Sequence, residues 1–392
     1  MIPKPFHDIE RSDIDALREN EVREGKRIEY KVNLPGNSDR DKKEFLADVS
    51  SFANSSGGDL LFGVNEEKGV PTDAHGLTGI NPDTEIQRLD NVLRDGLDPR
   101  IPGVQMRAVE GFPQGPVLLV RIPRSWASPH MVTFRGSSRF YARNNAGKYQ
   151  MDVGEVRAAF ALSEALPEKV RAFRCDRLAK IVARETPLPL ADGPLAVLHL
   201  LPIASLEPGH AVDPASLQQH QPLPRPLDAN SRSHRYSFDG LLEFAKDRTG
   251  VPYTYVLFFR NGAIEAVSAR TLPCGPGHEG CIASYAYEDS ILEGLAEYLA
   301  LIRGLEMSPP IFVMLSLLGV QGLHMFVEAR YGAGGAPEGI DRDVLVLPEV
   351  IVENFDDDLG GLLKPVFDCV WQAAGWRGSR NYDEDGKWIR RA

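Results

Sequence analysis

The chain of 392 residues is poor in cysteine: it has four, and they are widely separated at Cys175, Cys274, Cys281 and Cys369. Scattered cysteines in a large chain do not form a disulfide framework, which favours a reducing, cytoplasmic location. Cys274, His278 and Cys281 form a Cys-x3-His-x2-Cys cluster. Structural zinc needs four ligands and no fourth lies nearby in the sequence, so we expect a glycine-proline loop here and no zinc site.

Several other signals are missing. No apolar run approaches the roughly 20 residues that a membrane helix needs, and the longest, around Ile311–Leu315, predicts a buried strand. The first residues lack a basic stretch followed by an apolar one, so we expect no secretory signal. There is no glycine-rich loop followed by Lys-Ser/Thr, which predicts no ATP-binding module. A Gly-x-Ser-x-Gly elbow is also missing, which argues against a Ser-His-Asp hydrolase.

The charge is unevenly distributed. The net charge of −11 argues at first against a nucleic-acid partner. Residues 1–180, however, hold 27 basic and 27 acidic residues, which leaves 44 − 27 = 17 basic and 55 − 27 = 28 acidic residues for the remainder. Residues 101–148 carry seven basic residues and one acid, Glu110. This segment is therefore a candidate surface for a polyanion.

The composition, with 43% hydrophobic and 25% charged residues, allows two folded cores. The proline-rich stretch Thr186–Leu190 is typical of a linker. We predict a first domain over residues 1–184, a linker over 185–193 and a second domain over 194–392.

The first domain has mixed helix and strand signals. In the strand Arg27–Val32 the apolar side chains fall on even positions, so Glu29 and Lys31 share the opposite face. Ser38 or Asp39 caps the helix that follows, and Gly57-Gly58 ends it. The other predicted elements are a helix from Ile9 to about Glu21 with Asp8 as N-cap, the strand Leu60–Val64, the helix Thr84–Leu97, the strand Pro116–Ile122, and the helices Asp152–Leu166 and Glu168–Arg184.

The second domain has an α/β pattern. Asn261-Gly262 is a strong hairpin signal between two strands. The predicted strands are Leu195–Leu201, Thr254–Arg260 and Ala263–Ala269, and the predicted helices are Ser290–Arg303 and Leu359–Ala374. A polar, proline-rich loop spans Gln218–Pro226.

Three glutamates are the candidates for chemistry. Glu29 projects from the polar face of the first strand, Glu24 precedes it by five residues, and Glu66 ends the neighbouring strand. Converging carboxylates hold the divalent ions of many nucleases, and Lys31 on the face of Glu29 is a candidate phosphate contact. The alternative is that these acids are ordinary solvated surface residues.

A basic and aromatic segment is the candidate nucleic-acid surface. Arg139, Tyr141 and Arg143 alternate along it, with Arg135 before them and Lys148 after them. Such a segment is able to hold a phosphate backbone while Phe140 or Tyr141 stacks on a base. An ordinary exposed hairpin explains the pattern equally well.

The same residues carry a resemblance. Glu24, Glu29-Tyr30-Lys31 and the run Phe52–Val64, with Asn54-Ser55-Ser56-Gly57-Gly58 inside it, are similar to the Schlafen AlbA-type (divergent Alba) domain. Gly69 and the segment Gly76–Ile80 continue the pattern. The resemblance covers roughly residues 10–160 and implies a mixed α+β or α/β fold for this part of the chain.

The family implies two kinds of function. Some Schlafen proteins are endoribonucleases that use Mg²⁺ or Mn²⁺, held by two glutamates and an aspartate, to cut structured RNA such as tRNA, in roles that include phage defence and stress response. Many bacterial relatives are labelled only as DNA-binding or transcription-regulating proteins. The two glutamates fall on Glu24 and Glu29, whereas the aspartate falls near Glu66, beside Asn65. This sequence departs from the pattern there, and the longer glutamate shifts the position that the ion requires.

Two further expectations concern assembly and the second domain. Some Schlafen cores fold two copies of this unit into a clamp, and since one copy is visible here we expect a homodimer. The second domain resembles no family that we can name, so we expect a regulatory, sensing or dimerisation role. A third reading makes the first domain a vestigial scaffold and the second domain the working part, which binds a protein or a small ligand.

Overall fold

The structure is a computed structural model that describes residues 1–2, 4–207, 209–217, 219, 223–274, 278–327 and 339–389. Part of the predicted loop Gln218–Pro226, at positions 218 and 220–222, lies outside the described residues. Contacts divide the chain into two compact units. The first comprises Met1–Pro167 with Ser308–Pro310, and the second comprises Glu168–Met307 with Ile311–Ala392. The predicted linker at 185–193 and the predicted domain limits stay predictions.

The first unit combines helices with short sheets. Its helices are α1 (Arg11–Glu19), α2 (Asp39–Ala53) and α3 (Pro82–Gly96), and α4 (Val153–Val182) begins in it. Its strands are β1 (Ile28–Lys31), β2 (Gly58–Phe62), β3 (Val64–Glu67), β4 (Val70–Ala74), β5 (Leu97–Asp98), β6 (Gln105–Val109), β7 (Val117–Ile122), β8 (Met131–Val132), β9 (Arg139–Asn144) and β10 (Gly147–Gln150).

The strands of this unit form two main sheets. One has the order β1-β2-β7-β6, with β1 parallel to β2 and the other pairs antiparallel. The other has the order β10-β9-β8-β5 and is antiparallel. Helix α2 packs on the first sheet through Phe45, Leu46, Val49 and Phe52, which recur at helical spacing and are fully or almost fully buried.

The second unit is built on an antiparallel sheet. Among the described residues its strand order is β12-β13-β14-β15-β11-β17-β19, and β20 also pairs with β17. Its strands are β11 (Leu195–Pro202), β12 (Ser233–Tyr236), β13 (Gly240–Lys246), β14 (Pro252–Phe259), β15 (Ile264–Ser268), β16 (Cys281–Ala283), β17 (Ile311–Leu318), β18 (His324–Phe326), β19 (Val344–Val346) and β20 (Val350–Val352). Its helices are α5 (Pro214–Leu217), α6 (Ser284–Gly304) and α7 (Leu359–Ala373), in addition to the later part of α4. The mixed α+β class predicted from the sequence is confirmed.

Most predicted elements are present, and two local predictions are wrong. Helix α1 is capped by Glu10, whose side chain and that of Asp13 form a reciprocal capping box, and not by Asp8. Helix α4 is one helix that contains Pro167, where two helices were predicted. Packing of the flanking Leu166 and Val170, both buried, offsets the hydrogen bond that the proline removes.

Two buried glutamates in the large sheet of the second unit differ in their hydrogen-bond partners. Glu265 on β15 accepts hydrogen bonds from Arg177, His199 Nε2 and Tyr255. Burial opposes its charge, but the hydrogen bonds and charges of Arg177 and His199 lower its pKa to about 2. Glu243 on β13 is 3% exposed, and its Oε2 has no hydrogen-bond partner among the described residues. Burial raises the pKa of Glu243 to about 7, against the opposing charge of Arg232.

Glu243 predicts a pH dependence of stability. Because its pKa rises from 4.5 to about 7 on folding, its favourable contribution is complete below pH 4.5 and is lost as the pH rises through 7. We expect Glu243→Gln to raise the free energy of unfolding at pH 8 by about 2 kcal/mol, with the gain vanishing near pH 4.5. Urea unfolding followed by tryptophan fluorescence at both pH values measures this difference.

The exposed Glu293, on α6 in the same unit, provides the matched control. Glu293→Gln is expected to leave the free energy of unfolding within about 0.5 kcal/mol of the wild type at both pH values. A Glu243→Gln variant that behaves like this control would contradict the prediction.

Candidate nucleic-acid-processing site

The three glutamates predicted from the sequence lie at one edge of the first sheet. β1 is the edge strand, and the backbone N–H of Tyr30 donates to Glu24 Oε1 at 2.7 Å. Glu66 lies on the β3–β4 hairpin, which Gly63 separates from β2 with a φ of +94°. The sequence predicted Glu66 at the end of the buried strand, whereas the structure places it on the separate strand β3.

Gly69 connects the Glu66 carboxylate to the backbone of Glu24. Its N–H donates to Glu66 Oε2 at 2.5 Å, and its carbonyl accepts from the backbone N–H of Glu24 at 2.7 Å. Burial raises the pKa of Glu24, the Tyr30 N–H opposes this, and the charges of Glu29 and Glu66 raise it further. Glu29 and Glu66 are therefore both near enough to Glu24 to raise its pKa.

Glu29 is engaged by two cations. Its Oε2 accepts a short hydrogen bond from the Arg143 guanidinium, and its Oε1 lies 2.5 Å from Lys31 Nζ. The contact with Lys31 confirms that these two residues share a strand face. Burial alone would raise the pKa of Glu29, but the charges of Arg143 and Lys31 hold it below its ordinary value.

Asp48 extends the ion pairs and was missed by the sequence reasoning. It lies on α2, is 3% exposed, and its carboxylate is 2.6 Å from Lys148 Nζ and 3.9 Å from Lys31 Nζ. Burial and the charge of Glu29 raise the pKa of Asp48 to about 6, although Lys148 and Lys31 oppose this. Lys148 also contacts Glu44 at 2.7 Å. The available signal was an acid at position 48, within the apolar face of α2.

The residues Glu29, Lys31, Glu44, Asp48, Arg143 and Lys148 are hereafter called the ion-pair network. It joins β1, α2 and the two strands of the β9–β10 hairpin. Three of the residues predicted to contact phosphates, Lys31, Arg143 and Lys148, therefore have carboxylate partners. Their roles as phosphate contacts stay predictions.

The motif between α2 and β2 holds the basic hairpin in place. Asn54 Nδ2 donates to the carbonyls of His130 and Tyr141, and its Oδ1 accepts from the His130 N–H. Ser55 Oγ accepts from the Arg143 N–H at 2.8 Å. The Phe52 ring lies under the Arg143 guanidinium, 4.1 Å from ring centroid to guanidinium carbon. The polar residues of this motif thus anchor β8 and β9.

The other predicted binding residues are placed differently from one another. Arg139 is exposed and has no ion pair among the described residues, whereas Arg135 is 3.4 Å from Asp39. Tyr141 is partly buried against the core beneath α2, and Phe140 packs edge-on against Phe160. Both aromatic rings predicted to stack on a base therefore have protein partners.

Metal binding is predicted at Glu24, Glu29 and Glu66 and not at the Cys274–Cys281 cluster. Among the described residues, no group of three or more His, Cys, Asp or Glu side chains is arranged to hold a metal ion. Cys274 and Cys281 lie side by side, with the Cys274 N–H donating to the Cys281 carbonyl at 3.1 Å. Burial and the neighbouring Cys281 raise the pKa of the Cys274 thiol to about 11.

Comparison with known proteins finds one family match within the first unit. Residues 24–152 match the family described as Schlafen, AlbA_2. These residues form a Schlafen AlbA_2-type domain. The family points to a nucleic-acid-related function for this domain. None of the helices in the described ranges is long and apolar enough to cross a membrane.

Two solved structures are similar to part of the chain. The DIP2311 protein from Corynebacterium diphtheriae is 14% identical over 36% of this chain, with a TM-score of 0.26. The N-terminal domain of a RecG-related protein from Nitrosomonas europaea is 26% identical over 36% of this chain and 92% of its own length, with a TM-score of 0.27. The chain matches 29% of the length of the DIP2311 protein. Among curated proteins the comparison found no match.

The ion-pair network predicts the effect of removing Arg143, whose side chain is 2% exposed. Arg143→Gln leaves the buried Glu29 carboxylate with Lys31 alone, so we expect the free energy of unfolding to fall by about 3 kcal/mol. Hydrogen exchange followed by mass spectrometry at increasing urea concentration measures the free energy of unfolding of the Schlafen AlbA_2-type domain separately.

Arg139→Gln is the matched control, because Arg139 is exposed on the same strand without an ion pair among the described residues. It is expected to change stability by less than about 0.5 kcal/mol. Equal stability of the two variants would show that the pair between Glu29 and Arg143 is not needed for folding.

Proposed function

We propose that the Schlafen AlbA_2-type domain is a metal-dependent endoribonuclease that acts on structured RNA such as tRNA. The observation that carries this proposal is that Gly69 links the Glu66 carboxylate to the backbone of Glu24, while Glu29 on β1 is also near enough to raise the pKa of Glu24. A carboxyl whose pKa is raised by burial and by neighbouring acids marks a candidate for catalysis.

Glu24 and Glu66 are the residues proposed to hold the divalent ion. One carboxylate oxygen of each accepts a backbone N–H, and no hydrogen bond is formed by Glu24 Oε2 or Glu66 Oε1 among the described residues. Mg²⁺ is commonly held by one or two protein carboxylates together with water and substrate phosphates, so this pair fits Mg²⁺ or Mn²⁺. When bound, such an ion stabilises the charge that develops on phosphodiester oxygens.

Glu29 takes a different role in this proposal. Arg143 and Lys31 occupy its two oxygens, so it is a positioning residue that keeps the Lys31 ammonium beside the cluster. Lys31 is about one-third exposed, and Glu24 is among the charges that raise its pKa. Lys31 therefore stays protonated and provides a positive charge for a substrate phosphate next to the two free carboxylate oxygens.

The test is cleavage of purified tRNA by the full chain in the presence of Mg²⁺ or Mn²⁺. Glu24→Gln and Glu66→Gln are each expected to reduce the rate by about 100-fold or more, since each removes a proposed ligand of the ion. Glu67→Gln is the matched control, because Glu67 neighbours Glu66 and is exposed. Cleavage that survives both substitutions at the level of this control would refute the assignment.

A second candidate function is nucleic-acid binding without cleavage. The ion-pair network favours it, because Lys31 and Arg143 contact the two oxygens of Glu29, which are then not available to bind a metal ion. If this function is correct, RNA or DNA binds with an affinity that falls steeply with salt, and no cleavage occurs with any divalent metal. A role in phage defence, stress response or transcription rests on family analogy and stays a prediction.

Homodimer formation is proposed on the same analogy, because the family match covers one stretch, residues 24–152. A second chain would supply the second lobe of a clamp. Light scattering at micromolar concentration is expected to give twice the chain mass of 43.3 kDa. A monomer at that concentration would contradict it.

A further inference from the structure

The proposed function assigns one phosphate contact, Lys31, and leaves open which further residues bind the substrate backbone. The sequence predicts Lys31, Arg143 and Lys148, but in the structure these three cations balance Glu29, Glu44 and Asp48. A cation that already has a buried carboxylate partner adds less to phosphate attraction than an unpaired one. Basic side chains near the glutamates that have no acidic partner are therefore stronger candidates for a phosphate site.

An open cleft of about 470 Å³ lies between Lys26, which precedes β1, and the turn between β9 and β10. It is lined by Lys26, Arg143, Asn144, Asn145 and Ala146, so no carboxylate lines it.

The two walls are held together at the base of the cleft. Arg143 Nε donates to the carbonyl of Gly25 at 3.3 Å, while the same guanidinium contacts Glu29. A Cβ atom added at Gly25 would lie 4.0 Å from the Asn145 carbonyl oxygen, so the walls approach closely there. The contacts of Arg143 with Gly25 and Glu29 thus link the two sides of the cleft.

Lys26 is the charged group at the opening. Its side chain is exposed and forms no ion pair with any described residue. Asn144 Oδ1 accepts from the Ala146 N–H, which leaves the Asn144 amide nitrogen as a donor. Asn145 is also exposed. An ammonium and two amide groups around a carboxylate-free cleft suit the anionic oxygens of a phosphate.

We infer that this cleft is a binding site for a backbone phosphate of the nucleic acid, with Lys26 as its charged contact and the Asn144 and Asn145 amides as neutral donors. The inference rests on the nucleic-acid-related function proposed above and names the subsite. Lys26 is two residues from Glu24 in the sequence, and Arg143, which lines the cleft, contacts Glu29. Arg143 shapes the floor and is a positioning residue for the cleft.

The test measures binding and not cleavage. A fluorescently labelled single-stranded RNA is titrated with the full chain in EDTA at several KCl concentrations, for the wild type and Lys26→Gln. We expect Lys26→Gln to weaken binding about threefold to tenfold at low salt and to reduce the slope of log K against log salt by about 0.7, the value for one phosphate contact on a single strand.

Two further variants provide a control for the loss of a lysine and a test of a neutral donor. Lys169→Gln is the matched control, because Lys169 is an exposed lysine outside the Schlafen AlbA_2-type domain, and it should leave both affinity and slope unchanged. Asn145→Ala should weaken binding with the slope retained, because a neutral amide releases no counterion. If Lys26→Gln behaves like Lys169→Gln, or if the wild type binds no nucleic acid, the inference is wrong.

The outcome is separable from that of the nuclease proposal. Binding that depends on Lys26, without cleavage under any divalent metal, supports the phosphate site and rejects the nuclease. Cleavage that depends on Glu24 and Glu66 while Lys26→Gln leaves binding unchanged supports the nuclease and rejects the phosphate site.

Discussion

The contact between Glu29 and Arg143 is the interaction on which the candidate site depends. Arg143 comes from β9, its guanidinium lies on the Phe52 ring of α2, and it neutralises a carboxylate of β1. Lys148 makes the corresponding link from β10 to Asp48. Asn54 and Ser55 also anchor β8 and β9 by hydrogen bonds, so the ion pairs and these bonds together hold the basic hairpin beside Glu29 and α2.

A buried ion-pair network fixes the relative positions of the elements that it joins more than it stabilises the fold. Desolvation costs much of what the Coulomb attraction returns, whereas removal of one partner leaves an uncompensated charge. The network contains three acids and three bases, so its formal charges cancel. The cations nevertheless stabilise the charge of Glu29 more than that of Asp48, because the pKa of Glu29 is lowered and that of Asp48 is raised. A conformation in which the hairpin moved away would expose several opposite charges at once, so the network selects one arrangement of three elements.

Local pattern and a motif allowed much of the first unit to be predicted. Period-two alternation placed Glu29 and Lys31 on one face, and the predicted cap of α2 at Ser38 or Asp39 is Ser38. In the second unit, the turn residues identified the hairpin at Gly262. The partners of Arg143 and Lys148 were not predictable, because they lie about 100 residues away in sequence. A run of alternating basic residues looks the same whether it faces solvent or buried carboxylates. For that reason the sequence identified the segment that closes the site but assigned its cations to phosphate.

Gly69 illustrates how the acidic pair is spaced. Its φ of +80° is a conformation that residues with a Cβ rarely adopt, and its amide and carbonyl reach Glu66 and Glu24. Main-chain atoms of this single residue thus link the Glu66 carboxylate to the backbone of Glu24, while the Tyr30 N–H holds the Glu24 carboxylate. Substitution at this one glycine would consequently disturb the link between the two glutamates, even though glycine has no side chain to contribute chemistry.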